Sequence, residues 1–358
     1  MDQQSQYLEM FSRSVVDLFK DALRISLKHP TQVGFFLRTI KWQKQAVKRR
    51  AEWEQKGLHM PPFMIVSVTN KCNLQCKGCY NRAQHRQAGE EMSEEKLRSV
   101  LSEAWELGIS IALLAGGEPL VRPDLMRVTR DFPQIVFPVF TNGLLIDDEM
   151  IEVLSRQRHV VPVISLEGHE TDTDDRRGVG VHNRLTQLAA KLKAERIFFG
   201  MSLTLRSSNV DTVLDEAFIQ GLIDAGCKLF FFVEYVPVEE GTDHWCLTED
   251  QRVQTARAMK AFRASLPGLF IAFPGDEEEA GGCLAAGRGF IHISPQGSVE
   301  PCPFAPYSDT SLQAMSLKEA LGSPLLQAIR ENHEHLRETR GGCALWENRE
   351  WVKSLLQR

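Results

Sequence analysis

The sequence predicts an α/β fold in which parallel strands alternate with helices. Three features predict it: runs of β-branched and aromatic residues, amphipathic stretches between them, and polar or glycine-rich residues after each run. The runs lie at residues 63–68, 110–114, 135–140, 160–165, 197–204 and 229–235. Strand period alone allows an open doubly wound sheet or a barrel.

The stretches between the runs predict crossover helices. Residues 93–107 are an example, because Ser93 is a suitable N-cap and Glu94 and Glu95 fall in the first turn, where the helix dipole favours acidic residues. Six strand and helix units therefore account for residues 61–268, and the alternation is predicted to stop near Leu269.

The ends of the predicted strands favour a barrel with its site at one rim. Polar or glycine-rich stretches follow the six strands in turn, at residues 69–80, 116–119, 141–143, 166–170, 205–208 and 236–241. In a β/α barrel the loops at the carboxyl ends of the strands build the active site. We therefore expect the functional residues in these six loops.

Residues 1–60 predict a basic, amphipathic helical extension. Ten Lys and Arg against two Asp give residues 11–51 a charge of +8, whereas the whole chain carries −5. Apolar positions between Leu8 and Ile25 recur at helical spacing. Such a helix suits an anionic membrane surface, where each basic residue contributes about 1 kcal/mol. Docking on the barrel or on a partner is the alternative, and nucleic acid is the least expected partner because no RNA-binding module is recognisable.

Composition predicts a cytoplasmic protein, with the basic extension as an attachment to the inner face of the membrane. Eight cysteines in 358 residues are too few for a disulfide scaffold. The sequence does not open with a signal-peptide pattern, and no run of 18 apolar residues would span a bilayer.

Three cysteines crowd the loop after the first predicted strand: Cys72, Cys76 and Cys79. A structural zinc site needs four ligands, and thioredoxin-like chemistry uses only two of these thiols. Three thiolates can hold a four-iron cluster and leave one iron open. A cluster with an open iron is therefore the first reading, and a non-enzymatic iron–sulfur or zinc module stays open as another.

This C-x3-C-x2-C loop resembles the signature of the radical S-adenosylmethionine (SAM) superfamily. The resemblance implies a partial (β/α)6, TIM-like barrel in which SAM chelates the open iron of a 4Fe–4S cluster. One electron from the reduced cluster, delivered by a flavodoxin or ferredoxin-type partner, then cleaves the sulfonium, and a 5′-deoxyadenosyl radical abstracts hydrogen from the substrate. Family members often carry an aromatic residue before the third cysteine, whereas this sequence has Gly78 there and Tyr80 after it.

The resemblance also implies contacts to SAM. The glycine-rich turn would admit the methionyl amine, with Glu118 as acceptor; Ser165 and Glu167, in a motif that usually reads S-x-D-G, would bind the ribose. Arg177, in D-x-x-R-G, would bind the carboxylate. The full predicted cofactor set is Tyr80, Gly116, Gly117, Glu118, Pro119, Asn142, Ser165, Glu167 and Arg177.

Residues 269–358 resemble the twitch or SPASM domains that bind auxiliary 4Fe–4S clusters in radical SAM enzymes. Cys283, Gly297 and Cys302 match C-x9-15-G-x4-C around a predicted hairpin, and Cys343 completes three thiols. A single auxiliary cluster is the expectation. Its fourth ligand is left open among Cys246, Cys227, Glu347 and the substrate.

The basic extension bears on the expected substrate. We expect a lipid or another hydrophobic molecule, with a peptide as the alternative, because residues 1–60 show no strands of the kind found in peptide-recognition domains. Substrate contacts are predicted at strand ends five and six, by the residues Arg206, Tyr235, Glu239 and Glu240.

Overall fold

A single curved sheet organises the molecule. The computed structural model describes residues 3–27, 29–84, 89–273, 282–332, 336 and 343–357, with side chains from Arg13 onward. Its strands are β1 (Phe63–Thr69), β2 (Ile111–Gly116), β3 (Phe137–Thr141), β4 (Val160–Leu166), β5 (Gly200–Leu205), β6 (Leu229–Glu234), β7 (Leu269–Phe273), β8 (Phe290–Ile293) and β9 (Val299–Glu300). They lie in the order β7-β6-β5-β4-β3-β2-β1-β8-β9, and every neighbouring pair is parallel except β8 with β9. The six predicted strands are confirmed.

Helices precede, connect and follow the strands of this sheet. They are α1 (Gln3–Ile25), α2 (Pro30–Glu54), α3 (Tyr80–Gln84), α4 (Glu94–Leu107), α5 (Leu125–Arg130), α6 (Asp148–Arg156), α7 (Glu170–Arg177), α8 (Val181–Ala194), α9 (Val210–Val213), α10 (Glu216–Asp224), α11 (Glu249–Ser265), α12 (Leu317–Leu321), α13 (Pro324–Glu331), α14 (Ala344–Glu347) and α15 (Arg349–Leu355). Ser93 caps α4 as predicted, since its side chain accepts a hydrogen bond from Lys96 N.

The predicted end of the alternation near Leu269 is wrong. After α11, strand β7 adds a seventh parallel strand beside β6, and β8 pairs with β1 at the other side of the sheet. The predicted hairpin is confirmed as β8 and β9, with Gly297 at a φ of 88° in its turn. The segment that begins at residue 269 therefore shares the barrel sheet, because its apolar strands complete both edges.

The amino-terminal helices dock on the amino ends of the strands. Val15, Phe19 and Ala22 of α1 are buried and form one apolar cluster with Phe35 and Phe36 of α2 and with inward side chains of the sheet. The structure thus shows the docked alternative for this face of α1, and membrane attachment stays a prediction. No helix in the described part of the chain is both long and apolar enough to cross a bilayer.

Part of the positive charge of α2 serves this docking. Arg50 is buried, donates to Gly108 O at 2.5 Å, and has its pKa lowered to about 10 by burial. Arg49 donates to Trp105 O and stacks over the Trp105 ring at 4.5 Å. Both contacts tie α2 to α4 and the turn that follows it, so these two cations face the protein.

A buried polar link joins β1 to the β8–β9 hairpin. His292 Nδ1 donates to Glu300 Oε2 at 2.7 Å, and His292 Nε2 hydrogen-bonds with Ser67 Oγ at 2.8 Å. All three side chains are buried. The link fixes the strand that precedes the three cysteines against the carboxyl-terminal segment.

Removing the histidine should destabilise the fold strongly. We expect His292→Ala to lower the free energy of unfolding by about 3 to 5 kcal/mol, because it leaves the Glu300 carboxylate buried without its partner. Urea unfolding of the purified chain measures this. The exposed His169→Ala is the control, and the double change His292→Leu with Glu300→Met should cost less than the single one. Equal stability of His292→Ala and His169→Ala would contradict the structural role of the link.

Candidate functional site

One cavity of about 590 Å³ lies inside the curved sheet. At the carboxyl ends of the strands it is lined by Cys72, Cys76, Cys79 and the turn 116–118. At the amino ends it is lined by side chains of α1 and α2. The cavity therefore connects the predicted cofactor loops with the amino-terminal helices.

The glycine pair after β2 holds the cysteine loop by direct backbone contact. Gly117 N donates to Thr69 O at 2.7 Å, and Glu118 N donates to Lys71 O at 2.8 Å. A Cβ on Gly116 would collide with Thr69 O, and one on Gly117 would collide with Lys71 O. The missing side chains thus let this turn fix the backbone immediately before Cys72.

Glu118 is a structural acceptor of the rim as well as a lining residue. Its Oε1 accepts from Leu120 N at 3.1 Å and Thr141 Oγ1 at 2.8 Å, and its Oε2 accepts from Asn142 N at 2.7 Å. Burial raises its pKa, and these hydrogen bonds oppose the rise. Pro119 is buried and begins the short 3₁₀ helix Pro119–Val121. Contact of Glu118 with the methionyl amine stays a prediction.

Asn142 ties the loop after β3 to the cysteine loop. Its Nδ2 donates at 2.7 Å to Oδ1 of Asn73, which lies directly after Cys72, and its Oδ1 accepts from Leu144 N at 3.0 Å. Asn142 also lines the cavity. The amide therefore stabilises the turn after β3 at the edge of the cavity, and its contact with SAM stays a prediction.

Glu167 binds two arginines. The carboxylate is fully buried, and its Oε1 accepts from Arg176 Nη1 at 2.7 Å and from Arg177 Nε at 2.8 Å. Burial opposes its ionisation, but the two guanidinium groups outweigh this and lower its pKa. Within the described residues Glu167 Oε2 is buried without a hydrogen-bond partner, while Ser165 and Arg177 line the cavity. Their contacts with ribose and carboxylate stay predictions.

Arg176, which the sequence analysis did not single out, joins α7 to the cysteine loop. Its Nε donates to Lys77 O at 3.1 Å, and Lys77 N donates to Arg176 O at 3.0 Å. Its Nη1 also donates to Thr204 Oγ1 at 2.8 Å. The adjacent Arg–Arg pair was the signal in the sequence, and the structure shows that both arginines line the cavity and both bind Glu167.

The three thiols of the loop after β1 face one space. Cys72, Cys76 and Cys79 line the same cavity from one loop. Burial raises the pKa of Cys72 and Cys76, and Arg177 and Arg176 oppose the rise at Cys76. Soft donors beside cations suit thiolate ligation.

Gly78 has no room for a side chain. Its φ is 64°, and a Cβ would lie 2.5 Å from the Trp245 ring and 2.7 Å from Tyr235 Oη. Trp245 and Tyr235 therefore fill the space beside the position where the family often carries an aromatic residue. Gly78 N donates at 2.8 Å to Oε2 of Glu239, which also pairs with Arg82 at 3.6 Å.

The four candidate substrate contacts after β5 and β6 lie in different surroundings. Tyr235 lines the cavity and donates to Thr242 Oγ1 at 2.8 Å. Glu239 holds the cysteine loop, as described above, and Glu240 is exposed. Arg206 is buried with its guanidinium 5.1 Å from the Trp245 ring centre. Of the four, Tyr235 has the most direct access to the cavity; a substrate role for each stays a prediction.

An aromatic contact joins the segment around Cys302 to the cysteine loop after β1. Tyr80, next to Cys79, meets the Phe304 ring edge-on at 5.2 Å, two residues beyond Cys302. Burial raises the pKa of Tyr80. Tyr80 and Phe304 both line the cavity, so the carboxyl-terminal segment reaches the rim.

Two of the three carboxyl-terminal thiols lie on adjoining turns. Cys283 and Cys302 are buried, and Ala286 N donates to Pro301 O at 3.1 Å between their turns. Cys343 occupies the N-cap position of α14 and packs against the same apolar core.

Cys227, one of the candidates for a fourth ligand, is buried at the amino end of β6, where burial raises its pKa to about 12. Its position at the opposite strand end speaks against ligation.

Filling the space at Gly78 should disturb cluster assembly. We expect Gly78→Ala to bind less iron and acid-labile sulfide after anaerobic reconstitution, because a left-handed backbone costs a non-glycine residue about 1 to 2 kcal/mol and the new methyl group collides with Trp245. Gly57→Ala is a matched control, since Gly57 has a φ of 75° and open space around it. Full iron content in Gly78→Ala would show that the close fit is unimportant.

Known proteins resemble this chain over the same region. The Radical SAM superfamily model matches residues 66–232. The PqqA peptide cyclase of Granulibacter bethesdensis is 26% identical over 280 residues, which cover 72% of each chain. The AdoMet-dependent heme synthase of Methanosarcina barkeri is 25% identical over 321 residues, which cover 80% of this chain and 88% of the relative.

A solved structure shows the same fold. Streptococcus suis SuiB bound to the precursor peptide SuiA superposes with a TM-score of 0.63 at 18% sequence identity, over 87% of this chain and 75% of SuiB. The superfamily match begins within β1, ends within β6, and includes the cysteine loop and the glycine turn. Residues 66–232 are therefore a radical SAM domain, the type of domain that uses a 4Fe–4S cluster and S-adenosylmethionine.

Proposed function

We propose that this radical SAM enzyme abstracts hydrogen from a peptide that enters the cavity at the carboxyl-terminal rim. The observation that carries the proposal is that the three cysteines, the glycine turn and Tyr235 all line one cavity. A relative named as a peptide cyclase, and the fold shared with a precursor-peptide complex, support a peptide over a lipid. Neither relative reported above is named for a lipid.

The chain's own residues supply binding and orientation. Cys72, Cys76 and Cys79 would hold the cluster, which with SAM bound supplies the one-electron cleavage that starts hydrogen abstraction. Glu239, Arg176 and the glycine turn keep this loop in place through the contacts described above. Arg177 and Ser165 would orient SAM, and the curved sheet keeps bulk water from the reacting carbon.

A hydrophobic small molecule is the second candidate. Below the rim the cavity lining is mainly apolar, with Leu113, Phe140 and Phe231 among its side chains. A relative named as a heme synthase acts, by its name, on a molecule other than a peptide. The expected lipid substrate belongs to this second class. For either class we propose a flavodoxin or ferredoxin-type protein as the reductant.

We also propose that the carboxyl-terminal thiols bind an auxiliary 4Fe–4S cluster. Cys283 and Cys302 lie on adjoining turns, and Tyr80 and Phe304 place this segment at the cavity rim. Cys246 and Glu347 are the better candidates for a fourth ligand, because Cys227 lies at the far strand end. Such a cluster would either bind substrate or relay electrons.

Transfer of deuterium tests the substrate class. Peptide and lipid fractions from cells grown in deuterated medium are incubated anaerobically with reduced, reconstituted enzyme and SAM, and 5′-deoxyadenosine is analysed by mass spectrometry. We expect label from the peptide fraction, no cleavage of SAM by Cys76→Ala, and retained cleavage by Cys227→Ala. Label from lipid alone would favour the second candidate, and wild-type turnover in Cys76→Ala would contradict the mechanism.

Substitution of Cys343 should remove the auxiliary cluster and leave the cluster of the β1 loop in place. We expect Cys343→Ala to lose iron and sulfide equivalent to one 4Fe–4S cluster but to keep cleaving SAM without substrate, because the loop after β1 is unchanged. Iron and sulfide analysis with product detection measures both properties. An iron content equal to that of the wild type would argue against an auxiliary cluster at these thiols.

A further inference from the structure

The amino-terminal helix α1 closes the reaction cavity from below. Its residues Val15, Leu18, Phe19 and Ala22 line the same cavity as the three cysteines. Phe19 carries the largest of these side chains and is 7% exposed. Val15 and Ala22 lie four and three positions away, on the same helical face.

The strand register shows where the cavity changes from polar to apolar. Ser165 of β4, Ser202 of β5 and Phe231 of β6 lie in one row across the sheet. Two residues toward the amino ends, the row reads Val163, Gly200 and Leu229. Leu229 packs closely against Gly200, where a Cβ would lie 2.7 Å from Leu229 O, and the side chains of the lower row offer no hydrogen bond.

The charges lining the cavity are concentrated at its upper end. Glu118, Arg176 and Arg177 lie near the cysteine loop. At the lower end of the described lining the charged residue is Arg263, whose Nε and Nη2 both donate to Phe270 O, at 3.1 and 3.0 Å. An apolar group of a ligand could therefore bind at the lower end without loss of hydrogen bonds of its own. A charged group would lose its hydration there and find no opposite charge among the described strand residues.

We infer that Phe19 forms the floor of a pocket for an apolar group of the substrate and limits how far that group enters. The inference rests on the proposed function only in placing the reaction inside the barrel. Four residue steps, from Ser202 in β5 down to Phe198 just before this strand, span about 10 to 13 Å, allowing for strand tilt. That depth suits an alkyl chain or an apolar peptide side chain, two sources of the same chemistry.

Binding of graded probes to the reconstituted holoenzyme with SAM tests the floor. Straight-chain alcohols of increasing length are one arm, and short amidated peptides with a single Ala, Leu or Phe are the other. In the wild type, affinity should rise about fourfold per added methylene until the probe meets Phe19, and then stop rising. The probe length at which affinity stops rising is the length limit of the pocket. Phe19→Ala should move this limit to longer probes, and Phe19→Trp should move it to shorter ones.

Controls separate this inference from the proposed function. Leu23→Ala shortens a partly buried residue of the same helix outside the cavity lining and should leave the limit unchanged. A limit that moves with Phe19 in either arm supports the floor and identifies the source of the apolar group. An unchanged limit in both Phe19 variants, or no binding in either arm, would overturn it, even where wild-type cleavage of SAM is intact.

Discussion

The close backbone contact between the ends of β1 and β2 is the constraint on which the site depends. Gly116 and Gly117 lie against the carbonyl oxygens of Thr69 and Lys71 so tightly that neither position has room for a Cβ. Parallel pairing of the two strands brings these backbones together, and two hydrogen bonds hold them. The first cysteine of the loop, Cys72, follows directly, so its position is set by main-chain geometry.

Around that contact, three more distant segments at the carboxyl ends of the strands add supports for the cysteine loop. Asn142 reaches it from β3, Arg176 from the helix after β4, and Glu239 from beyond β6. Cluster ligands held in this way need little reorganisation when the cofactor binds, which favours precise placement of a reactive centre. Several residues that the family resemblance assigns to SAM, Glu118 and Glu167 among them, also carry these structural contacts.

The cavity combines two environments in one space. Its upper end offers thiols, carboxylates and guanidinium groups, whereas its lower end is closed by apolar strand residues and by α1. An amphipathic helix that sequence alone would place equally well on a membrane here packs on the barrel, because the amino ends of the strands expose an apolar surface that water would otherwise cover. The amino-terminal extension thereby becomes part of the cavity wall.

The sequence by itself determined the α/β class, six of the strands, the cap of α4 and the grouping of three thiols after β1, because these depend on local period, caps and motif spacing. It did not determine that β7 and β8 join the sheet, that Trp245 and Tyr235 fill the space at Gly78, or that Glu167 binds Arg176 as well as Arg177. Those features depend on contacts between residues far apart in the chain. Only the tertiary structure decided them, as it decided that Phe19 faces the cavity, since a helical pattern shows which face is apolar and not what covers it.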